Sequence, residues 1–219
     1  MKQHPIIFSA ESVKAILRGH KTQTRRVINP QPKLANMGLL RNAVYSPGNL
    51  LWVKETFAEM DEFELGYKRD PFVIIGYKAD KSVIDLSTGS EFNTEHWNWE
   101  HKSIKWKSPL YMPKDAARLF LKIKDVRVQK LQDISKEDIE KEGIKVPVST
   151  DKKALIEVTG KYAAIKYLKI FENIKDPYEK YLRVYFASHW DKLNAKRGFS
   201  WESNPYAWVI EFERVENND

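Results

Sequence analysis

The hydrophobic period of this chain changes along its length, and that change narrows the possible folds more than any other feature. From Arg118 to Val128 apolar and charged residues alternate, with Leu119, Leu121 and Ile123 set against Lys122 and Lys124. A period of two over that length demands a strand with one buried face. From Tyr178 to Trp190 the period is helical, with Tyr178, Tyr181, Leu182, Tyr185, Phe186 and Trp190 in one stripe. Asp176-Pro177 supplies an N-cap and a proline at the first helical position, and the stripe reads as core. A chain that holds both must bury a sheet face against helices, which is an α+β fold.

Shorter elements fill in the order. Pro5–Phe8 reads as a strand, followed by Ser9 as N-cap and a helix with Ala10, Val13, Ile16 and Leu17 on one face. Gly19 can take the left-handed conformation that stops this helix. The polar, basic run His20–Arg26 is then expected as a loop presenting its side chains, with Lys21 contributing little to stability. Leu50–Phe57 reads as a strand whose Leu51, Val53, Glu55 and Phe57 oppose Trp52, Lys54 and Thr56. Residues 72–79 read as another strand, 58–70 as acidic and irregular, and 80–108 as polar and aromatic. Ser135-x-x-Asp138 is a capping pattern opening a short helix that Gly143 stops. Residues 151–172 are helix-prone with Gly160 as a weak point, and Tyr206–Glu213 closes the chain as a strand.

Composition excludes several function classes. The 219 residues contain no cysteine, which removes disulfides, thiolate metal sites and a thiol nucleophile and suits a reducing cytoplasm. No apolar run approaches a membrane span, and no secretory signal is visible, so a cytoplasmic protein without membrane contact is expected. The five histidines (4, 20, 96, 101, 189) show no metal-ligand spacing, and neither a metal nor a cofactor is expected. Thr159-Gly-Lys161 lacks the upstream glycine of a phosphate loop. Trp97, Trp99 and Trp106, interleaved with lysines, could stack bases, but packing of an insertion is favoured.

Charge is distributed unevenly. Residues 1–54 carry nine Lys or Arg against Glu11 alone, a net +8 in a chain of +7, so the remaining residues sum to −1. A basic excess confined to one quarter points to an anionic partner there. Nothing in the pattern defines an oligomeric state.

Gly19-x-Lys21-x-x-x-x-Arg26, after a short strand and helix, resembles the Gly-x-Lys-x-x-x-x-Arg signature of the ASCH domain family, which is related in fold to the PUA domains of RNA-modifying proteins. Other segments agree in order: Gly48-x-x-Leu51-Trp-Val-x-Glu55, the strand from Arg118 to Val128, Leu131–Ser135 leading into an acidic helix, and Tyr206–Phe212. Trp190–Gly198 with Ser200–Pro205 looks like the larger ASCH proteins of phages and prophages. The resemblance implies a PUA-like mixed β-barrel with flanking helices. It implies one domain over 1–219, with insertions at about 58–110 and 145–200.

Small bacterial ASCH proteins include amidohydrolases that remove the acetyl group from acetylcytidine with a Lys, a Thr and a Glu. The resemblance carries these onto Lys21, Thr24 and Glu142, with Glu140 and Glu137 close to the last in sequence. Gly19, Arg25, Arg26 and Trp52 are expected in ligand binding. Amide hydrolysis needs a nucleophile, a base and a group to hold the oxyanion. Thr24 could attack with Lys21 as base, its pKa lowered by the cationic neighbours His20, Arg25 and Arg26. Alternatively a charged Lys21 holds the oxyanion and Glu142 activates water. Arg26 either positions an anionic ligand or pairs with Glu142. The partner is a nucleoside or RNA, and a non-catalytic RNA- or modified-nucleotide-binding module is the alternative reading.

Overall fold

The computed structural model describes residues 1–32, 45–60, 74–88, 90–92, 94, 99, 104–144 and 152–216. In chain order the first elements are β1 (Gln3–Ile7), α1 (Ala10–Leu17), β2 (Gln23–Val27), β3 (Leu50–Lys54), β4 (Phe57–Glu59), β5 (Ile74–Tyr77) and β6 (Ser82–Asp85). They are followed by β7 (Phe120–Lys130), α2 (Lys136–Lys141), α3 (Lys152–Thr159), α4 (Lys161–Ile170), α5 (Pro177–Asn194) and β8 (Tyr206–Val215). The fold is α+β. No helix of the described residues is long and apolar enough to cross a membrane.

The chain divides into two compact units: Met1–Arg18, Gly48–Ile123 and Glu213–Asp219 form the first, and Gly19–Pro47 and Lys124–Phe212 form the second. In the first unit β1 runs parallel to β3, which pairs antiparallel with the start of β7 through Leu51 opposite Leu121. Ser9 caps α1 by accepting from the Ser12 N–H, and Val13 and Ile16 are buried, each worth about 1.5–3 kcal/mol of apolar transfer. A second sheet, β4-β5-β6, is antiparallel throughout. Trp99 stacks on Trp106 at 6.0 Å beside Ala58, Met60, Ile74 and Val83. These two tryptophans therefore pack a core, as the sequence favours; Trp97, His96 and His101 lie outside the described residues.

In the second unit β2 pairs antiparallel with β8, Gln23 opposite Glu211 and Val27 opposite Ala207. Strand β8 also neighbours β7. The aromatic stripe of α5 is core: Leu182, Phe186 and Trp190 are buried with Trp201, Phe171 and Tyr167. Asp176 caps α5 by accepting from the Tyr178 N–H, ahead of Pro177. The helix-prone stretch 151–172 is two helices, because Gly160 between them has φ +88°, a conformation glycine adopts without the steric cost of a Cβ.

The sequence expectation differs from the structure at four places, the first being Leu50–Phe57, read as one strand, which is β3 and β4 in two different sheets. The His20–Arg26 run is not a loop, because Gln23–Val27 forms β2 and Lys21 bridges to Glu142. Within 80–108, read only as polar and aromatic, Ser82–Asp85 forms β6 with Val83 fully buried. Of the irregular 58–70 segment, Ala58 and Glu59 belong to β4, while 61–70 lie outside the described residues.

Candidate functional site

Strand β2 is unusual for a buried strand: Gln23, Thr24 and Arg25 are 0%, 4% and 6% exposed, and Lys21 just before it is 5% exposed. Polar groups are buried in this way only when other polar groups meet them. Helix α2 supplies the partners. Ser135 accepts from the Asp138 N–H at its N-terminus, and Glu142 is its C-cap residue, so one short helix brings two carboxylates to the strand.

Lys21 Nζ donates to Glu142 Oε2 at 2.9 Å and to the Glu142 backbone carbonyl at 2.8 Å. Arg25 donates to Asp138 Oδ2 at 2.7 Å, to Glu142 Oε1 at 3.2 Å, to Gln129 Oε1 at 2.9 Å and to Gln23 Oε1 at 2.5 Å. Gln23 Nε2 in turn donates to Asp138 Oδ1 at 3.0 Å and to its cross-strand neighbour Glu211 at 3.2 Å. Arg127 completes the set, donating to both oxygens of Asp138 at 3.0 Å and to Glu211 at 2.8 Å. Arg25 Nε is buried with no hydrogen-bond partner among the described residues.

The charges respond to these surroundings. Burial lowers the Lys21 pKa from its ordinary value; the Glu142 carboxylate opposes that shift, and Arg26 and Arg25 add to it. Desolvation is therefore the main cause, ahead of the cationic crowding that the sequence suggests. Burial also lowers Arg26, against the effects of Tyr45 and Glu142. Burial by itself would raise Asp138, but hydrogen bonds from Gln23 and Arg25 and the charges of Arg25 and Arg127 outweigh it, and its pKa is lowered.

The structure thus brings Lys21 and Arg25 each into direct contact with Glu142, and it is Glu142, not Glu137 or Glu140, that meets Lys21. Thr24 and Arg26 pair across the strands with Ile210 and Trp208, so alternation sets them on the face of β2 opposite Gln23 and Arg25. Thr24 is 4% exposed as a residue, and among the described residues no hydrogen bond joins its hydroxyl to another group. Gly19, at φ +70°, directs the chain toward β2. Trp52 lies on β3 in the other unit, half-buried, with Lys54 Nζ 5.4 Å from its ring centre.

Gln23, Gln129, Arg127, Asp138 and Glu211 are members of this cluster that sequence reasoning missed. The Ser-x-x-Asp pattern did mark Asp138, as a capping residue only. A period-two polar pair at Gln23 and Arg25 was the available signal for a strand. Lys21 precedes β2, so the alternation does not fix its face, and Arg26, on the Thr24 face, adds to the lowering of the Lys21 pKa. Among the described residues, no group of three His, Cys, Asp or Glu is arranged to hold a metal ion.

No family model matches the chain, and no curated protein matches it. Among solved structures the chain is similar to an ASCH domain from Lactobacillus crispatus, at 10% identity and a TM-score of 0.40 over 99% of this chain and 81% of that one.

Proposed function

We propose that the chain is an ASCH-type amidohydrolase of PUA-like barrel architecture, acting on an acylated nucleoside of the acetylcytidine kind. The observation that carries the reading is the buried Lys21–Glu142 pair: a lysine with its pKa lowered by burial, held 2.9 Å from a carboxylate, three residues before a buried threonine. In this reading neutral Lys21 takes the Thr24 proton as Thr24 Oγ attacks the acetyl carbonyl carbon. The tetrahedral intermediate then collapses, the C–N bond breaks, and the exocyclic nitrogen leaves with the proton from Lys21. Water next cleaves the acetyl ester on Thr24, giving cytidine and acetate.

Glu142 holds the Lys21 ammonium in place between proton transfers. Its two oxygens already accept from Lys21 and Arg25, which supports this assignment over Glu142 as the base that activates water. Arg26, on the same face of β2 as Thr24, is assigned to the ligand.

The test is release of cytidine from acetylcytidine by the wild type and by Thr24→Val, which keeps the side-chain shape and removes the hydroxyl. The reading expects turnover by the wild type and a loss of at least about a hundredfold in the variant. A folded wild type that leaves acetylcytidine intact overturns it. The +8 charge of residues 1–54 favours a second reading, a module that binds RNA without chemistry. Steep loss of RNA affinity between 50 and 200 mM salt, roughly 10³-fold for about six phosphates, would support that reading.

A further inference from the structure

The first unit holds a cavity of about 440 Å³ that the proposed reaction does not use, lined by Lys14, Leu17, Arg18, Lys78, Ala79, Asp80 and Lys81. Two elements build it. Lys14 and Arg18 lie one turn apart at the C-terminal end of α1, and Lys78 and Lys81 flank the turn between β5 and β6. Leu17 and the buried Ala79 give it an apolar lining, while all four cationic side chains belong to exposed residues. Among the described residues, none of the four is ion-paired to a carboxylate.

The one acid of the cavity offsets only one of the four charges. Asp80 Oδ2 accepts from Arg118 at 2.8 Å, and its Oδ1 accepts from the Ser82 hydroxyl at 2.9 Å and the Ser82 N–H at 3.3 Å. Arg118 is itself held by Glu55 through two bonds of 2.9 Å. The Asp80 carboxylate is thus committed to the turn. Lys81 has φ +62° and donates its N–H to the Tyr77 carbonyl at 3.0 Å, so the turn is closed by a lysine in a conformation that glycine or asparagine adopts more cheaply. Lys78 Nζ sits 5.7 Å from the Trp106 ring centre.

Four like charges around one cavity repel one another, and the arrangement is relieved when an anion enters. A monovalent anion leaves most of that charge unbalanced, whereas a polyphosphate or a run of phosphodiesters matches it. The volume suits a ligand of nucleotide size. We infer that this cavity is a binding site for a multiply charged phosphate ligand, either the polyphosphate of a small molecule or the backbone of a nucleic-acid strand. Half of its cations, Lys14 and Arg18, come from the basic first quarter of the chain.

The experiment uses the full chain and two probes, inorganic tripolyphosphate and a single-stranded oligouridylate, titrated calorimetrically at low salt. Saturable one-to-one binding of at least one probe is expected. Lys14→Gln/Lys81→Gln should weaken it at least about tenfold, while Lys161→Gln/Lys196→Gln, which removes the same charge from the second unit, should leave it within about twofold. If tripolyphosphate binds and the oligonucleotide fails to displace it, the ligand is a small polyphosphate. If the oligonucleotide displaces it and its salt slope falls by about 1.4 in the cavity variant, the ligand is a strand. Absence of saturable binding by either probe, or equal weakening in both variants, overturns the inference.

Discussion

Each unit buries a cluster of opposite charges, and the two clusters are finished differently. In the first unit Arg118 engages Glu55 through Nε and one terminal nitrogen at 2.9 Å each, and Asp80 and Ser82 through the other terminal nitrogen. Its guanidinium also stacks 4.0 Å above the Tyr77 ring, and its pKa is raised because the hydrogen bonds and charges of Glu55 and Asp80 outweigh burial. Every edge of that arginine is occupied, as a structural clamp requires. In the second unit, among the described residues, Arg25 Nε has no partner and the Thr24 hydroxyl makes no hydrogen bond, and Lys21 has its pKa lowered rather than raised. A saturated cluster fixes a fold. An incompletely satisfied one containing a depressed lysine is where a reaction can be run.

That contrast is sharpest under truncation. Arg118→Ala strands Glu55, which is 1% exposed, and should destabilise by about 3–5 kcal/mol in urea unfolding. Arg25→Ala should cost less, about 1–3 kcal/mol, because Asp138 keeps Arg127 and Gln23 and Glu142 keeps Lys21. Equal losses in the two variants would dissolve the distinction.

Acid titration should separate the clusters by sign. Burial raises Glu55 above 4.5 despite Arg118, so as pH falls through that raised value toward 4.5 the folded state takes up the proton first and stability rises. Asp138 is lowered below 3.8, so its contribution is complete above 3.8 and is lost as pH falls through its folded value. Stability measured against pH should lose the first trend in Glu55→Gln and the second in Asp138→Asn. Each contributes at most about 1.4 kcal/mol per pH unit.

Smaller effects follow at the periphery. Ser135→Ala removes the cap of the helix that carries Asp138 and Glu142 and should cost about 1 kcal/mol, with a matching fall in any turnover that depends on Glu142. Arg183→Ala breaks a one-turn pair with Glu179 on α5 and the bond of Arg183 to the Ile134 carbonyl. Its expected effect on the midpoint of urea unfolding is small, about 0.5–1 kcal/mol.

The fold was legible wherever apolar periodicity or capping chemistry recorded it. Ser9, Asp176 and Ser135 cap the helices they were expected to cap, and Leu51, Val53, Glu55 and Phe57 are buried as the alternation predicts. Strand β2 was misread because its buried face is polar. A pattern that equates burial with apolar side chains cannot see Gln23 and Arg25, whose partners lie more than 100 residues away. For the same reason Lys21 read as an expendable loop residue, whereas it is 5% exposed and ion-paired, so Lys21→Ala carries a stability cost that the loop reading omits. The family resemblance assigned Lys21 and Glu142 to one site without naming a contact between them, and Glu137 and Glu140 lie close enough in sequence to compete with Glu142 for that role; the 2.9 Å pair is seen only in the structure.

The measurement that bears most directly on this account is acetylcytidine turnover by the wild type, Lys21→Ala and Glu55→Gln side by side, each verified as folded by circular dichroism. Cytidine release by the wild type, a comparable rate in Glu55→Gln and a loss of at least about a hundredfold in Lys21→Ala are expected. Turnover by Lys21→Ala at the wild-type rate, or none by folded wild type, would contradict it.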